Sequence, residues 1–470
     1  MKANAERACP YAGKCGACQT LNLDYDGELS MKMKREITLL GRFGHVEEIL
    51  EAEHPTHYRN KAQYLFSYNG GRVNFGLYRA SDGGIVHIDR CMMEDPELYS
   101  VARTVRKLID KYNVKVYDGR RGSLRSVTVR KGFATGELLC ALVTRDGVFP
   151  GAQELADELV RRHPKLVSVS VIVNSTDIPL WMDGEEYVLY GKGYLTDELC
   201  GCTFRVSAKA FYQINPAQTE VLYRTAAELA EIKKTDRILD AYCGIGTVGI
   251  VAAKGGCASL EGFDVNADAI RDAEENARAN GIGNAEFAVR KDASFLLREG
   301  KRYDVIFADP PRAGCDKKFL AAVLKAAPEK LVYISCNPET LARDLAVLKP
   351  MYKVRKIQPV DLFPGTGHVE TVCLLYKLES QPHIEVKLNM SELDLTKAEK
   401  KATYQEIKDY VMEHTGLKVS SLYIAQVKEK CGIREQENHR RAKSPDIRQP
   451  VCPPEKEKAI RDALRHFGMI

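Results

Sequence analysis

The chain has 470 residues, 44% of them hydrophobic, and a formal net charge of +5 at pH 7. Such a length supports large cores in two or three domains, and so modest a charge permits an anionic partner without requiring one, so that any basic footprint must be local. Met1 to Arg7 lacks the apolar core of a signal peptide and no run of about eighteen apolar residues follows, so the expectation is a soluble, cytoplasmic protein.

Fourteen unevenly spaced cysteines point to reduced thiols and a metal site rather than a disulfide scaffold. Cys9, Cys15 and Cys18 are clustered and Cys91 is the next in the chain. Three close thiolates and a distant fourth suit a [4Fe-4S] cluster better than tetrahedral zinc, whose ligands usually arrive as two close pairs; coincidental cysteines are the alternative. The Gly16-Ala17 step would turn its N–H groups toward the inorganic sulfurs.

From Tyr58 to Arg79 the pattern has period two and predicts a hairpin across Asn69-Gly70-Gly71. Further strands at Leu124 to Arg130, Glu137 to Thr144 and Leu166 to Asn174 predict an antiparallel sheet domain. Arg59, Lys61, Arg72, Arg79, Arg120, Arg121, Arg125, Arg130 and Lys131 decorate it, as an RNA-facing surface or as a solvated face over core aromatics.

Arg237 to Thr247 reads as an apolar strand entering the turn Tyr242-Cys243-Gly244-Ile245-Gly246, with a helix from Val248 to Lys254. The next strand ends in Asp264, placed to accept both hydroxyls of a ribose. No third glycine follows at dinucleotide spacing and Asp240 precedes the turn, which suits S-adenosylmethionine better than a pyrophosphate. A helix from Asp268 to Asn280, a strand ending near Asp292 and another ending in Asp309-Pro310-Pro311-Arg312 continue the alternation of a doubly wound parallel sheet. Leu331 to Ile334 is a further core strand stopped by Asn337-Pro338, so Cys336 stands at the ligand edge, as a nucleophile or as a small buried hydrophobe. Glu370, after Gly365-Thr366-Gly367-His368, begins a last strand beside it; His368 and Glu370 both qualify as a base.

Phe211-Tyr212-Gln213-Ile214-Asn215, the Asp240 to Thr247 turn, Asp309-Pro310-Pro311-Arg312-Ala313-Gly314, Ser335-Cys336-Asn337-Pro338 and Gly367-His368-Val369-Glu370, with the four front cysteines, resemble the RNA uracil-C5 methyltransferase family, in particular its iron–sulfur branch acting on 23S ribosomal RNA. The likeness runs from about Cys9 to about Lys377. It implies that Gln213, Tyr242, Thr247, Asp264, Asp292 and Asp309 contact the methyl donor or position the base, that Cys336 is the nucleophile and that Glu370 is the general base. Thr247 departs from the family, which often has Asn there, and Asp264 from the usual Glu. Many relatives begin with an oligonucleotide-binding barrel; with eight residues ahead of Cys9 in this sequence, RNA grip is expected to come from elsewhere.

The chemistry this implies is thiolate addition to C6 of uracil, attack of C5 on the donor's methyl group, and removal of the C5 hydrogen. The expected substrate is a single-stranded or loop uridine, since a stacked base must first leave its helix. A transfer-RNA uracil enzyme, an RNA cytosine-C5 enzyme and a non-catalytic RNA-binding assembly protein are the alternatives; no membrane and no obligate protein partner is expected. The expected architecture is an iron–sulfur, β-rich RNA-binding domain (1–205), a doubly wound Rossmann-like methyltransferase domain (206–380) and a helical extension (384–470) after a Gln381-Pro382 linker. The likeness does not cover that extension, whose helical spacing lies at Ala398 to Met412 and Leu422 to Lys430.

Overall fold

The computed structural model describes residues 9–69, 71–176, 182, 184–290, 294–297, 302–378, 404–415, 417–431 and 452–467. By its contacts the chain divides into two compact units, Met1–Ser380 and Gln381–Ile470.

The first unit opens with helix α1 (Tyr25–Leu40), started by the Asp24 carboxylate, which accepts the Gly27 N–H at 2.9 Å. The first sheet follows from β1 (Lys61–Asn69), β2 (Arg72–Tyr78), β3 (Ile85–His87), helix α2 (Pro96–Lys111), β4 (Leu124–Lys131), β5 (Leu138–Thr144), helix α3 (Ala152–Arg162), β6 (Leu166–Val173) and β7 (Glu185–Gly191). Its seven strands lie in the order β3-β2-β1-β4-β5-β6-β7. The hairpin and the strands predicted from period two are all present. The expected antiparallel sheet is instead mixed, because β5 and β6 run parallel. Parallel neighbours need a crossover, and α3 supplies it, burying Leu155, Ala156 and Leu159 beside Val101, Val105 and Leu108 of α2.

Part of the expected basic surface also turns inward. Arg125 and Arg130 are buried, donating to the carbonyls of Asn174 and Ala210, while Lys131 bridges Asp95 and Glu97 at 2.8 and 2.6 Å. Burial, with Arg130 beside it, pulls the Lys61 ammonium down to about 7. β4 is covered on both faces, so alternation along it marks no solvent side. Arg72, Arg79, Arg120 and Arg121 do face outward.

A hairpin, β8 (Tyr194–Leu199) and β9 (Cys202–Ser207), leads into helix α4 (Pro216–Ala230), β10 (Arg237–Ala241), helix α5 (Thr247–Ala253), β11 (Ser259–Asp264), helix α6 (Ala267–Ala279), β12 (Ala285–Val289), β13 (Val305–Ala308), helix α7 (Lys317–Ala326), β14 (Lys330–Ser335), helix α8 (Pro338–Leu348), β15 (Tyr352–Val360) and β16 (Glu370–Lys377). The second sheet has the order β12-β11-β10-β13-β14-β16-β15. Strands from β12 to β14 are parallel, and β16 is antiparallel to both its neighbours. Leu222, Ile250 and Ala273, from α4 to α6, pack on one face; Leu40, Phe319 and Leu341, from α1, α7 and α8, pack on the other. This is the doubly wound Rossmann-like fold, with its switch point between β10 and β13.

The second unit contains α9 (Tyr404–Thr415), α10 (Ser421–Lys430) and α11 (Pro454–His466), joined through Ile407, Val411, Ile424, Val427, Ile460 and Leu464. The first helix predicted there is described from Tyr404 onward; Ala398 to Thr403, like the Gln381-Pro382 linker, lie outside the described residues. No helix among the described residues is long and apolar enough to cross a membrane.

Candidate active site

At the end of β10 the chain turns through Tyr242, a non-glycine residue at φ 62°, and through Gly244 and Gly246 at 54° and 80°. A Cβ on Gly246 would stand 3.0 Å from Ile250, 3.2 Å from Ala273 and 3.3 Å from Phe287, so both space and backbone angle require glycine there. Asp240 does not line the cavity that follows. It is buried, accepts the Gly249 N–H at 2.8 Å and so seats α5 against β10; its other oxygen has no partner, and burial raises the group to about 8. Asp264, at the end of β11, accepts the N–H groups of Gly244 and Asn266 at 3.1 and 2.9 Å.

A cavity of about 840 Å³ opens at this edge of the sheet, and Gln213, Tyr242, Thr247, Asp264, Asp309, Cys336 and Glu370 all line it. Asp292, the remaining residue expected in this group, lies outside the described residues. The Thr247 hydroxyl stands 3.3 Å from that of Tyr223. Phe211, 70% exposed, is also on the cavity wall.

β14 delivers Cys336, and Asn337 caps α8 by accepting the Glu339 N–H at 3.1 Å. The Asn337 amide also donates to the Arg312 carbonyl at 3.3 Å, tying the loop after β13 to the start of α8. Because β14 and β16 pair antiparallel through Ser335 and Thr371, Cys336 and Glu370 lie one step beyond the same pair. Burial pushes the Cys336 thiol up to about 12, with Glu370 and Asp309 adding to the rise and Arg312 opposing it. Asp309 is raised by burial to about 7. Glu370, 3% exposed, is held well above the usual carboxylate range by burial and by Asp309, and one of its oxygens has no partner.

His368 is placed differently from a base. Its Nδ1 accepts from Arg312 at 3.0 Å, which puts the ring proton on Nε2, and burial together with Arg312 keeps the ring neutral. The one basic nitrogen of the ring is thus committed while Arg312 holds this position.

Cys9, Cys15, Cys18 and Cys91 line a second, smaller cavity as free thiols. The Gly16 N–H does not turn toward it as expected; it donates to the Tyr78 carbonyl at 3.0 Å, because this loop pairs with the end of β2. Ala17 supplies a backbone bond to the Cys15 sulfur. Among the described residues no group of three or more His, Cys, Asp or Glu side chains is placed to hold a metal ion, so the structure does not bring the four expected cysteines together as a ligand set.

A family model described as tRNA (Uracil-5-)-methyltransferase matches residues 24–378. The chain belongs to that family. It is an S-adenosylmethionine-dependent RNA methyltransferase of the uracil-5 family, similar to an "Uncharacterized RNA methyltransferase" of Clostridium tetani (37% identical over 380 residues, 79% of this chain and 82% of that one) and to another of Halalkalibacterium halodurans (37% over 381 residues, 79% and 83%). Among solved structures it is similar to the Pyrococcus abyssi tRNA (uracil-54, C5)-methyltransferase in complex with S-adenosyl-L-homocysteine, with a TM-score of 0.65 and 29% identity over 77% of this chain and 86% of that one. In this member of the family the cations Arg59, Arg290 and Arg312 also line the large cavity, as do Gly16, Ala17 and Gln19 from the cysteine loop. Arg312 lies inside a motif read from the sequence and Arg59 among the basic residues of the expected RNA face; nothing in the sequence pointed to Arg290 or Gln19.

Proposed function

We propose that this enzyme transfers a methyl group from S-adenosylmethionine to C5 of a uridine in 23S ribosomal RNA. The observation that carries the reading is that Cys336 and Glu370 both lie one step beyond the last β14–β16 pair, Ser335 with Thr371, on one cavity with the glycine turn and Asp264. Asp264 and the turn after β10 would hold the donor's ribose and amino-acid portions, with Tyr242 and Thr247 on the wall beside them; when bound, the donor supplies an electrophilic methyl group.

Cys336 adds to C6 of the uracil, which places charge on C5 and O4. A thiol held near 12 keeps its proton at rest, so the proton leaves for Asp309 as the sulfur–carbon bond forms, which leaves Glu370 able to take the C5 hydrogen later. Gln213 would set its amide N–H against uracil O4 and its amide oxygen against N3–H, an orientation that cytosine, with a donor at N4 and an acceptor at N3, does not match. After C5 has been methylated, ionised Glu370 takes the C5 hydrogen, the double bond re-forms and the thiolate departs. Its raised pKa makes Glu370 a stronger base once ionised.

Cys9, Cys15, Cys18 and Cys91 would hold a [4Fe-4S] cluster. Such a cluster takes one thiolate on each iron and so asks for thiols spread round a common cavity, in keeping with four free cysteines on one cavity wall. The ribosomal substrate rests on these cysteines; a transfer-RNA substrate is the second reading, favoured by the Pyrococcus abyssi likeness. The test is to incubate the enzyme and donor with transcripts of 23S ribosomal RNA and of transfer RNAs and to map 5-methyluridine by mass spectrometry. Methylation of ribosomal RNA alone supports the proposal, and methylation confined to transfer RNA overturns its substrate.

A further inference from the structure

The loop Phe363–Gly367, which leads into His368 and Glu370, is held almost entirely by residues from the front of the chain. The Tyr58 hydroxyl donates to the Pro364 carbonyl at 2.8 Å, and the backbone N–H groups of Gln19 and Thr20 donate to the Gly365 carbonyl at 3.0 and 3.2 Å. The Gly365 N–H donates to both Glu28 carboxylate oxygens at 2.8 and 3.1 Å. Lys32 reaches the Phe363 carbonyl and Arg35 the Gly367 carbonyl, each at 3.3 Å. Apolar contact follows the same route. Gly365 sits at φ 81°, and a Cβ there would stand 3.2 Å from Leu21 and from Met93. Leu21 and Met93 in turn line the cavity of the four cysteines, and Gln19 follows Cys18 directly.

We propose that Gln19, Thr20, Glu28 and Tyr58 are positioning residues for Glu370: the cysteine-bearing segment clamps the Phe363–Gly367 loop and so keeps the base aligned with Cys336. This rests on the reading of Glu370 as the base. The clamp acts through groups more than 300 residues away in sequence, 306 from Tyr58 to Pro364 and 337 from Glu28 to Gly365. The donor turn is anchored separately, by Asp240 and Asp264. Disturbing the thiol site therefore slows release of the methylated base more than it weakens donor binding.

The test compares the full-length protein with Tyr58→Phe, which removes one hydroxyl, and Cys18→Ser, which disturbs the thiol site. Hydrogen exchange is followed by mass spectrometry in peptides 363–371 and 240–250. Losing one buried hydrogen bond predicts about fivefold faster exchange in 363–371 of Tyr58→Phe, with 240–250 unchanged. Cys18→Ser is expected to exceed it. In single turnover on RNA, release of product should slow by about tenfold relative to formation of the covalent adduct, and KM for the donor should stay within about twofold. Unchanged exchange in 363–371 in Tyr58→Phe, or faster exchange with unchanged release, overturns the clamp, whether or not Cys18→Ser folds. If the unaltered protein forms no adduct at all, the reading of Cys336 and Glu370 fails instead, and the exchange data still decide the clamp.

Discussion

Lys32, 1% exposed, lies between two buried carboxylates, with its Nζ 2.6 Å from both Glu28 and Asp361. Replacing it by Met keeps the aliphatic stem and leaves the acids facing each other without a cation. Removing one partner of a buried ion pair costs about 3–5 kcal/mol. At about 2 cal/mol/K per residue, unfolding the Met1–Ser380 unit has an entropy of roughly 0.8 kcal/mol/K, so Lys32→Met should lower its melting temperature by about 4–6 °C at pH 8. The sign of the pH dependence follows from linkage. Burial already raises Asp361, and without Lys32 it rises further, so the native state takes up a proton that the unfolded chain does not. The loss of stability is then smallest at acid pH and grows as pH rises through the raised pKa. Scanning calorimetry at pH 5.5 and 8 measures both effects. A shift below about 1 °C at pH 8, or a larger shift at pH 5.5, would refute the reasoning.

Asp240, raised from 3.8 to about 8, is protonated in the native state over a range where the unfolded chain is ionised, so its contribution to stability falls by about 1.4 kcal/mol per pH unit between those values. Asp240→Asn should remove that slope in denaturant titrations taken from pH 5 to 7.5. Gly246→Ala, forced into a left-handed angle against Ile250, Ala273 and Phe287, should weaken S-adenosylmethionine binding at least tenfold by calorimetry. As the proposed base, Glu370 would have to be ionised to accept the C5 hydrogen, and its pKa is raised, so product release should accelerate as pH rises through that raised value. A release rate that falls over that range would count against Glu370.

The methyltransferase fold was legible because its punctuation is local. Glycines mark the turn after β10, Asn337-Pro338 ends β14, and each carboxylate follows an apolar run, so strand ends and cavity residues could be read together. The front of the chain was less legible. Strand alternation names a solvent side only when one face is wet, and β4 is covered on both, which is why Arg125 and Arg130 looked like surface charges. The crossover α3 hid in a stretch read only as the gap between two strands, though Leu155 and Leu159 carry helical spacing. Links such as Glu28 to Gly365 join a residue with no signature of its own to a glycine stretch 337 residues away, and only the folded chain brings them together.

The central claim is a covalent bond between Cys336 and the pyrimidine, resolved by Glu370. Glu370→Gln, incubated with S-adenosylmethionine and ribosomal RNA, should accumulate a protein–RNA species stable on a denaturing gel, with the methylated uridine attached to the peptide containing Cys336. A species attached elsewhere, or full turnover by Cys336→Ala under the same conditions, would contradict it.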